Sequence, residues 1–212
     1  MKLTLTIGAL AAVLALGTAR GATILITETE NLDIPDGNPV GIDPAGVVST
    51  IPAGNELTSL TVGLDVSGGY NGDLTAYLEA PNGATVMLLD RPGVTGNNPF
   101  GYGGSGLSVS FSDADTASLQ TTPETPGAVV MGNYQAIGQL STFNGLSGNG
   151  TWSLFIADNE VGGGQAVLDG WSLDMVVVPE SRPGLGIALV LCGALGLEAV
   201  RWRIRSRRCL AK

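Results

Sequence analysis

Leu60-Thr61-Val62-Gly63-Leu64-Asp65-Val66 alternates apolar and polar residues without a break. A period of two puts all four apolar side chains on one face of an extended chain and leaves Thr61, Gly63 and Asp65 on the other. A helix would scatter the same residues around its axis, so the stretch predicts a half-buried strand. The pattern recurs on both sides of it. Thr23 to Thr29 is a short strand candidate, followed downstream by Leu74 to Leu78 and Val86 to Leu89. Asn82-Gly83 lies between the last two, and this pair is a strong hairpin-turn signal. Leu107, Val109 and Phe111 alternate with serines; Trp152, Leu154 and Ile156 alternate again, as do Trp171, Leu173, Met175 and Val177. Short strands separated by Gly, Asn, Asp and Pro clusters predict an all-β protein, a sandwich or jelly roll. Residues 91–106 and 112–139 read as long surface loops. Trp152 and Trp171, set among alternating leucines, read as core residues.

Charge separates the chain into parts. Of ten Lys and Arg, only Arg91 lies between Thr23 and Glu180, and it faces eighteen of the nineteen acidic residues there, a net charge of −17. Such a surface excludes nucleic acid as a partner, because phosphate binding requires Lys and Arg. It suits multivalent cations, and it equally suits solubility by self-repulsion. The chain has no histidine, and Cys192 and Cys209 both lie beyond Glu180. A Ser-His-Asp triad, a His- or Cys-ligated metal and a thiol nucleophile are therefore excluded from the body. The body has no lysine either, which leaves carboxylate pairs as the remaining catalytic candidates.

Both ends read as targeting segments. Met1-Lys2, the apolar run Leu3 to Leu16, and the small residues of Gly17-Thr18-Ala19 or Ala19-Arg20-Gly21 form a signal-peptide pattern over residues 1–22. At the other end, Val178-Pro179-Glu180-Ser181 precedes an apolar run and the cluster Arg201, Arg203, Arg205, Arg207 and Arg208. Leu185 to Val200 is 16 residues, about 24 Å of helix at 1.5 Å per residue. A hydrocarbon core is about 30 Å, so this is a short transmembrane helix with its arginines on the cytoplasmic side. The expected organisation is a signal peptide over 1–22, a β domain over 23–178 and a sorting segment over 179–212.

Two segments of the body resemble the P domain, or Homo B domain, of kexin- and furin-like proteases. The first is Tyr70-Asn71-Gly72-Asp73-Leu74 with Tyr77-Leu78-Glu79-Ala80-Pro81-Asn82-Gly83-Ala84, similar to that family's Gly-Asp-Leu strand and following turn. The second joins Leu140-Ser141-Thr142-Phe143-Asn144-Gly145, Asn149-Gly150-Thr151-Trp152-Ser153-Leu154, Ala157-Asp158 and Gly170-Trp171-Ser172-Leu173, similar to its Gly-Thr-Trp strand, Asp-containing loop and final Trp-x-Leu strand. The histidine often found before Gly-Asp-Leu is replaced by Ser67-Gly68-Gly69, and a Gly-x-Tyr-x-Pro motif reads Gly132-Asn133-Tyr134-Gln135-Ala136. No protease domain is expected ahead of the module. The resemblance implies a jelly-roll β-sandwich without peptidase activity.

The tail resembles the PEP-CTERM signal of Gram-negative bacteria that make extracellular polysaccharide, with Ser181 in place of the motif's last proline. That resemblance implies an exosortase as processing partner, a transient inner-membrane anchor, and a final location at the cell surface or outside the cell.

Asp73, Asp113, Asp115 and Asp158 are the candidate calcium ligands, since calcium gathers six to eight oxygens from several loops and some P domains are described as binding it. Aspartate is also an ordinary turn former that accepts backbone amides. Tyr70, Tyr102 and Tyr134 fall in predicted loops, where an aromatic ring can stack on a sugar. Gly101-Tyr102-Gly103-Gly104-Ser105-Gly106 matches a dinucleotide fingerprint but opens no helix, so it reads as a loop. Asn149-Gly150-Thr151 is a formal glycosylation sequon within the strand motif. The expected function is that of a non-catalytic, exported β-sandwich that binds or builds, with exopolysaccharide as an expected partner. The alternatives are a carbohydrate-active enzyme using an Asp/Glu pair, and a stand-alone accessory module of a secreted protease.

Overall fold

Alternation in the sequence becomes pairing in the fold. The computed structural model describes residues 21–44 and 46–179. Leu60 to Val66 lies inside a long strand, β4 (Asn55–Gly68), with Leu60, Val62, Leu64 and Val66 buried and Asp65 and Ser67 exposed. The other strands are β1 (Ala22–Ile34), β2 (Asn38–Ile42), β3 (Val47–Ser49), β5 (Leu74–Glu79), β6 (Thr85–Asp90), β7 (Gly106–Ser112), β8 (Val130–Tyr134), β9 (Gly150–Asp158) and β10 (Ala166–Pro179).

The strands form two sheets. One runs β1-β10-β4-β7-β8. The other runs β2-β9-β5-β6, and β3 takes the same strand β9 as partner further along. All pairs are antiparallel except β7 with β8. Their inner faces share one apolar core, with Val62, Leu64, Phe111, Trp171 and Leu173 from the first sheet and Ala76, Leu78, Leu88, Trp152 and Leu154 from the second. Trp152 and Trp171 are core residues, as their spacing predicts, with 0% and 2% exposure. The Trp152 indole N–H donates to the Gly148 carbonyl at 3.0 Å, and its ring meets Phe143 edge-on at 5.1 Å. A buried indole is thereby satisfied without losing its packing.

The predicted hairpin joins β5 and β6. Its closing bond runs from the Ala80 amide to the Ala84 carbonyl at 2.8 Å, and Gly83 sits at φ 81°, a conformation that disfavours any side chain. The stretch 112–139 departs from its reading as a surface loop. It carries β8, whose residues Val130 to Tyr134 align with Leu107 to Phe111. Tyr134 is consequently buried rather than held out on a loop. The Asn149 side chain is also engaged: it accepts the Ile51 amide and donates to the Ile51 carbonyl. This pairing accounts for the residue without glycosylation.

At the C-terminal end, Val178 and Pro179 pair with Glu56 and Asn55, so the tetrapeptide motif opens within the last strand. Glu180, Ser181, the predicted membrane span, the arginine cluster and residues 1–20 of the predicted signal peptide lie outside the described residues. Among the described residues no helix is long and apolar enough to cross a membrane.

Candidate functional site

Pairing of β5 with β9 brings two of the predicted aspartates together. Leu74 is the register partner of Asp158, so Asp73, in the 3₁₀ turn Asn71–Asp73, arrives beside the end of β9. Asn159 secures the junction: its backbone and side-chain N–H groups donate to the Asp73 carbonyl at 2.8 and 2.9 Å, and its side chain also reaches Thr75 Oγ1 at 2.9 Å. Asp73 and Asp158 are 3% and 0% exposed. Burial pushes the Asp73 carboxyl up to about 6, the charge of Asp158 adds to the shift, and Arg91 opposes it. Asp158 is likewise held above the usual carboxylate range, first by burial, against the opposing amides of Glu160 and Gly37. Its Oδ1 accepts the Glu160 amide at 3.2 Å, while Oδ2 has no hydrogen-bond partner among the described residues.

Arg91 and Glu160 complete this end of the sandwich. Arg91 Nη2 lies 2.9 Å from Glu160 Oε1 and donates to the Pro99 carbonyl at 3.3 Å. Its backbone sits in the left-handed region at φ 49°, directly after β6. The glycine loop beyond Glu160 is fixed by Asp36, which accepts the Gly162 amide at 2.9 Å. Tyr70, Phe100 and Val161 stand at the rim, 44%, 71% and 85% exposed. With Asp73, Glu160, Gly162 and Gly163 they line an open cleft of about 110 Å³.

The other two predicted aspartates go elsewhere. Asp113 accepts the amides of Leu140 and Ser141 at 2.8 and 2.7 Å, one on each carboxylate oxygen, at the start of the 3₁₀ turn Leu140–Phe143. Asp115 belongs to the turn after β7, where its amide donates to the Ser112 carbonyl at 3.2 Å. Among the described residues no group of three or more His, Cys, Asp or Glu side chains gathers to hold a metal ion, and Glu160 is paired with the Arg91 guanidinium.

Two polar groups near this end give no sign in the sequence. Asn71, 0% exposed, donates to the Gly106 carbonyl at 3.1 Å and to Glu124 Oε2 at 3.0 Å, and accepts the Gly106 amide at 3.1 Å. Burial raises the pKa of Glu124 against the pull of the Asn71 and Gly104 N–H groups. This network ties three loops together beneath the rim. Arg91, by contrast, was signalled by being the body's one basic residue.

Two sheets over one core define an all-β sandwich. Residues 57–175 match the model of the proprotein convertase P-domain, and the chain belongs to that family. Two solved structures are similar at low identity. One is a complex of the Aeromonas sobria serine protease with its chaperone, ORF2, at 16% identity and a TM-score of 0.43, covering 76% of this chain and 28% of that one. The other is the Aeromonas sobria serine protease, at 15% identity and a TM-score of 0.42, covering 73% and 27%. The chain thus spans less than a third of the length of either. No curated protein matches the sequence.

Proposed function

We propose that the chain is an exported, non-catalytic P-domain protein that is processed at its C-terminus and works at the cell surface or in the extracellular matrix by binding or building. One observation carries this reading: the order of segments along the chain. A signal-like residues 1–22 precede a family-matched sandwich, and Val178-Pro179-Glu180-Ser181 with its apolar run and five arginines follows. Segregation of charge supports it, since the basic residues other than Arg91 all lie in the flanking segments. The nested pairing of β1 with β10 and β2 with β9 supports a jelly-roll winding. The domain limits proposed are 23–178 for the body and 179–212 for an exosortase-processed signal.

Burial argues against sugar hydrolysis by the Asp73–Asp158 pair. At 0% exposure the Asp158 carboxyl meets no substrate, whereas glycoside cleavage needs both groups to flank the scissile bond. The family match favours one further reading, an accessory module that assembles with a secreted peptidase. Co-purification of the chain with a peptidase from its host would favour that over a solitary role.

The test is fractionation of the host that makes the protein. Deleting residues 179–212 should abolish the processing step and shift the body out of its surface fraction. Identical processing and distribution with and without these residues overturns the sorting reading.

A further inference from the structure

We propose that the free edge of β1 is a self-recognition strand, which pairs antiparallel with the same strand of a second copy of this chain. This goes beyond the binding reading above and does not depend on processing of the tail. β1 ends the β1-β10-β4-β7-β8 sheet, and among the described residues no strand pairs with its other side. Its first half reads Thr23-Ile24-Leu25-Ile26-Thr27, the same in both directions. Antiparallel pairing about a two-fold axis at Leu25 therefore sets each residue against its own kind: Leu25 against Leu25, Ile24 against Ile26, and Thr23 against Thr27. Directly opposed residues share a sheet face, so the isoleucines meet on the core side, and Leu25 and the threonines on the outer side. A two-fold interface uses one patch twice and has to be complementary to itself. A palindromic strand meets that condition.

Exposure and charge single out this stretch. Leu25 is 68% exposed, while Ile24 and Ile26 pack against the core yet stay only half-buried. An added strand would cover all three. Residues 23–27 carry no charge, and Ala22 would stand opposite Glu28, so two acidic bodies meet here without opposing like charges. A sheet edge is a template for another chain unless a bulge, an inward charge, a proline, shortness or a covering segment blocks it. Further along β1 such blocks are present. Glu28 falls in register with buried Trp171, Glu30 accepts the Trp171 indole N–H at 3.2 Å, and the strand is bulged between Thr29 and Leu32 with Asn31 at φ 54°. The other edges are blocked too. β2 contains Pro39, β3 has three residues and β8 five, and the Met87 and Leu88 carbonyls of β6 accept the amides of Gly138 and Ile137 at 2.9 and 3.2 Å. Residues 23–27 are the edge left open, and pairing there joins two five-stranded sheets into one of ten. So short an overlap buries little area, and the dimer forms at high local concentration.

The experiment uses the full chain in detergent micelles, with Cys192→Ser and Cys209→Ser as background. Directly opposed strand residues hold their Cβ atoms close enough for a disulfide. On mild oxidation Leu25→Cys should form a linked dimer about tenfold faster or more than Met131→Cys, a position of similar exposure on β8. Thr23→Cys mixed with Thr27→Cys should link faster than either alone, which fixes the register. Without added cysteines, Leu25→Glu should weaken association by about tenfold in sedimentation, and an equal mixture of Leu25→Glu with Leu25→Lys should restore it. Circular dichroism melting checks that each variant is folded. Association through residues 180–212 would be blind to all of these changes. Equal linking rates at Leu25 and Met131, a Thr23–Thr27 mixture no faster than its components, or association unmoved by Leu25→Glu overturns the proposal. So does linking of Leu25→Cys to a different exported protein in cells that lack the self-linked dimer, which would give the edge to a foreign strand.

Discussion

Arg91 Nη2 stands 2.9 Å from Glu160 Oε1, and this contact joins the turn after β6 to the loop after β9 across 69 positions of sequence. The contact itself is partly exposed, and such pairs contribute little to stability, about 0–1 kcal/mol. The influence of Arg91 on its other neighbour matters more. The guanidinium lowers the pKa of the buried Asp73, which burial and Asp158 raise. Arg91→Met should therefore drive the Asp73 pKa above about 6. Carboxyl-carbon NMR titration of both proteins checks this, and an unchanged Asp73 midpoint refutes it.

Raised carboxyl pKa values set the sign of the pH response. Asp73 moves from 3.8 to about 6, so between these values the folded protein binds more protons than the unfolded chain. Its contribution to stability is present below about 4 and is lost as pH rises to about 6. Asp158 and Glu124 shift in the same direction. For Asp73 the loss is roughly 1–3 kcal/mol. Urea midpoints at pH 4 and pH 6.5 should fall with rising pH, and Asp73→Asn should flatten that slope. A slope that the substitution leaves unchanged would locate the effect in the general negative charge of the body.

Asp113 illustrates an aspartate that serves the fold alone. Its two oxygens hold the first amides of the Leu140–Phe143 turn, which carries the buried Leu140 and Phe143 into the core. Asp113→Ala strips both acceptors and should cost about 1–2 kcal/mol. Asp113→Asn keeps one oxygen and should cost less. Chemical denaturation of the two variants beside the parent measures the difference.

The strands legible in the sequence are those whose two faces meet different surroundings. β4, β5, β7, β9 and β10 alternate because one face meets the core and the other solvent. β8 does not alternate: Met131 is 71% exposed, Gly132 sits at φ 137°, and the strand exists because β7 offers it a parallel edge. β2 contains Pro39 and Gly41 and pairs in register with β9 only at Asn38 and Ile42, while β3 is three residues long. Tertiary pairing made these strands, and no local pattern announces it. The same holds for the site. Asp73 and Asp158 stand out in sequence as turn aspartates, but only the Leu74–Asp158 register shows that they meet, and that Asp113 and Asp115 do not join them.

Gly72 tests whether the rim depends on that close packing of loops. It has no side chain because the 100–102 segment crosses directly over it, with its amide donating to the Tyr102 carbonyl at 2.8 Å. A Cβ there would stand 2.6 Å from the Tyr102 nitrogen and would collide with the Phe100 carbonyl oxygen. Both neighbours are backbone, so neither can rotate away, and the segment must move as a unit. Gly72→Ala should destabilise the sandwich by about 1–3 kcal/mol through this overpacking. Lifting the segment also displaces Phe100 from the cleft it shares with Tyr70 and Asp73. Gly83→Ala, with open space around its Cβ and only the strain of a φ of 81° to bear, should lower stability without moving that segment. Circular dichroism melting of both variants beside the parent checks this, and a Gly72→Ala protein as stable as the parent refutes the close backbone packing at Gly72.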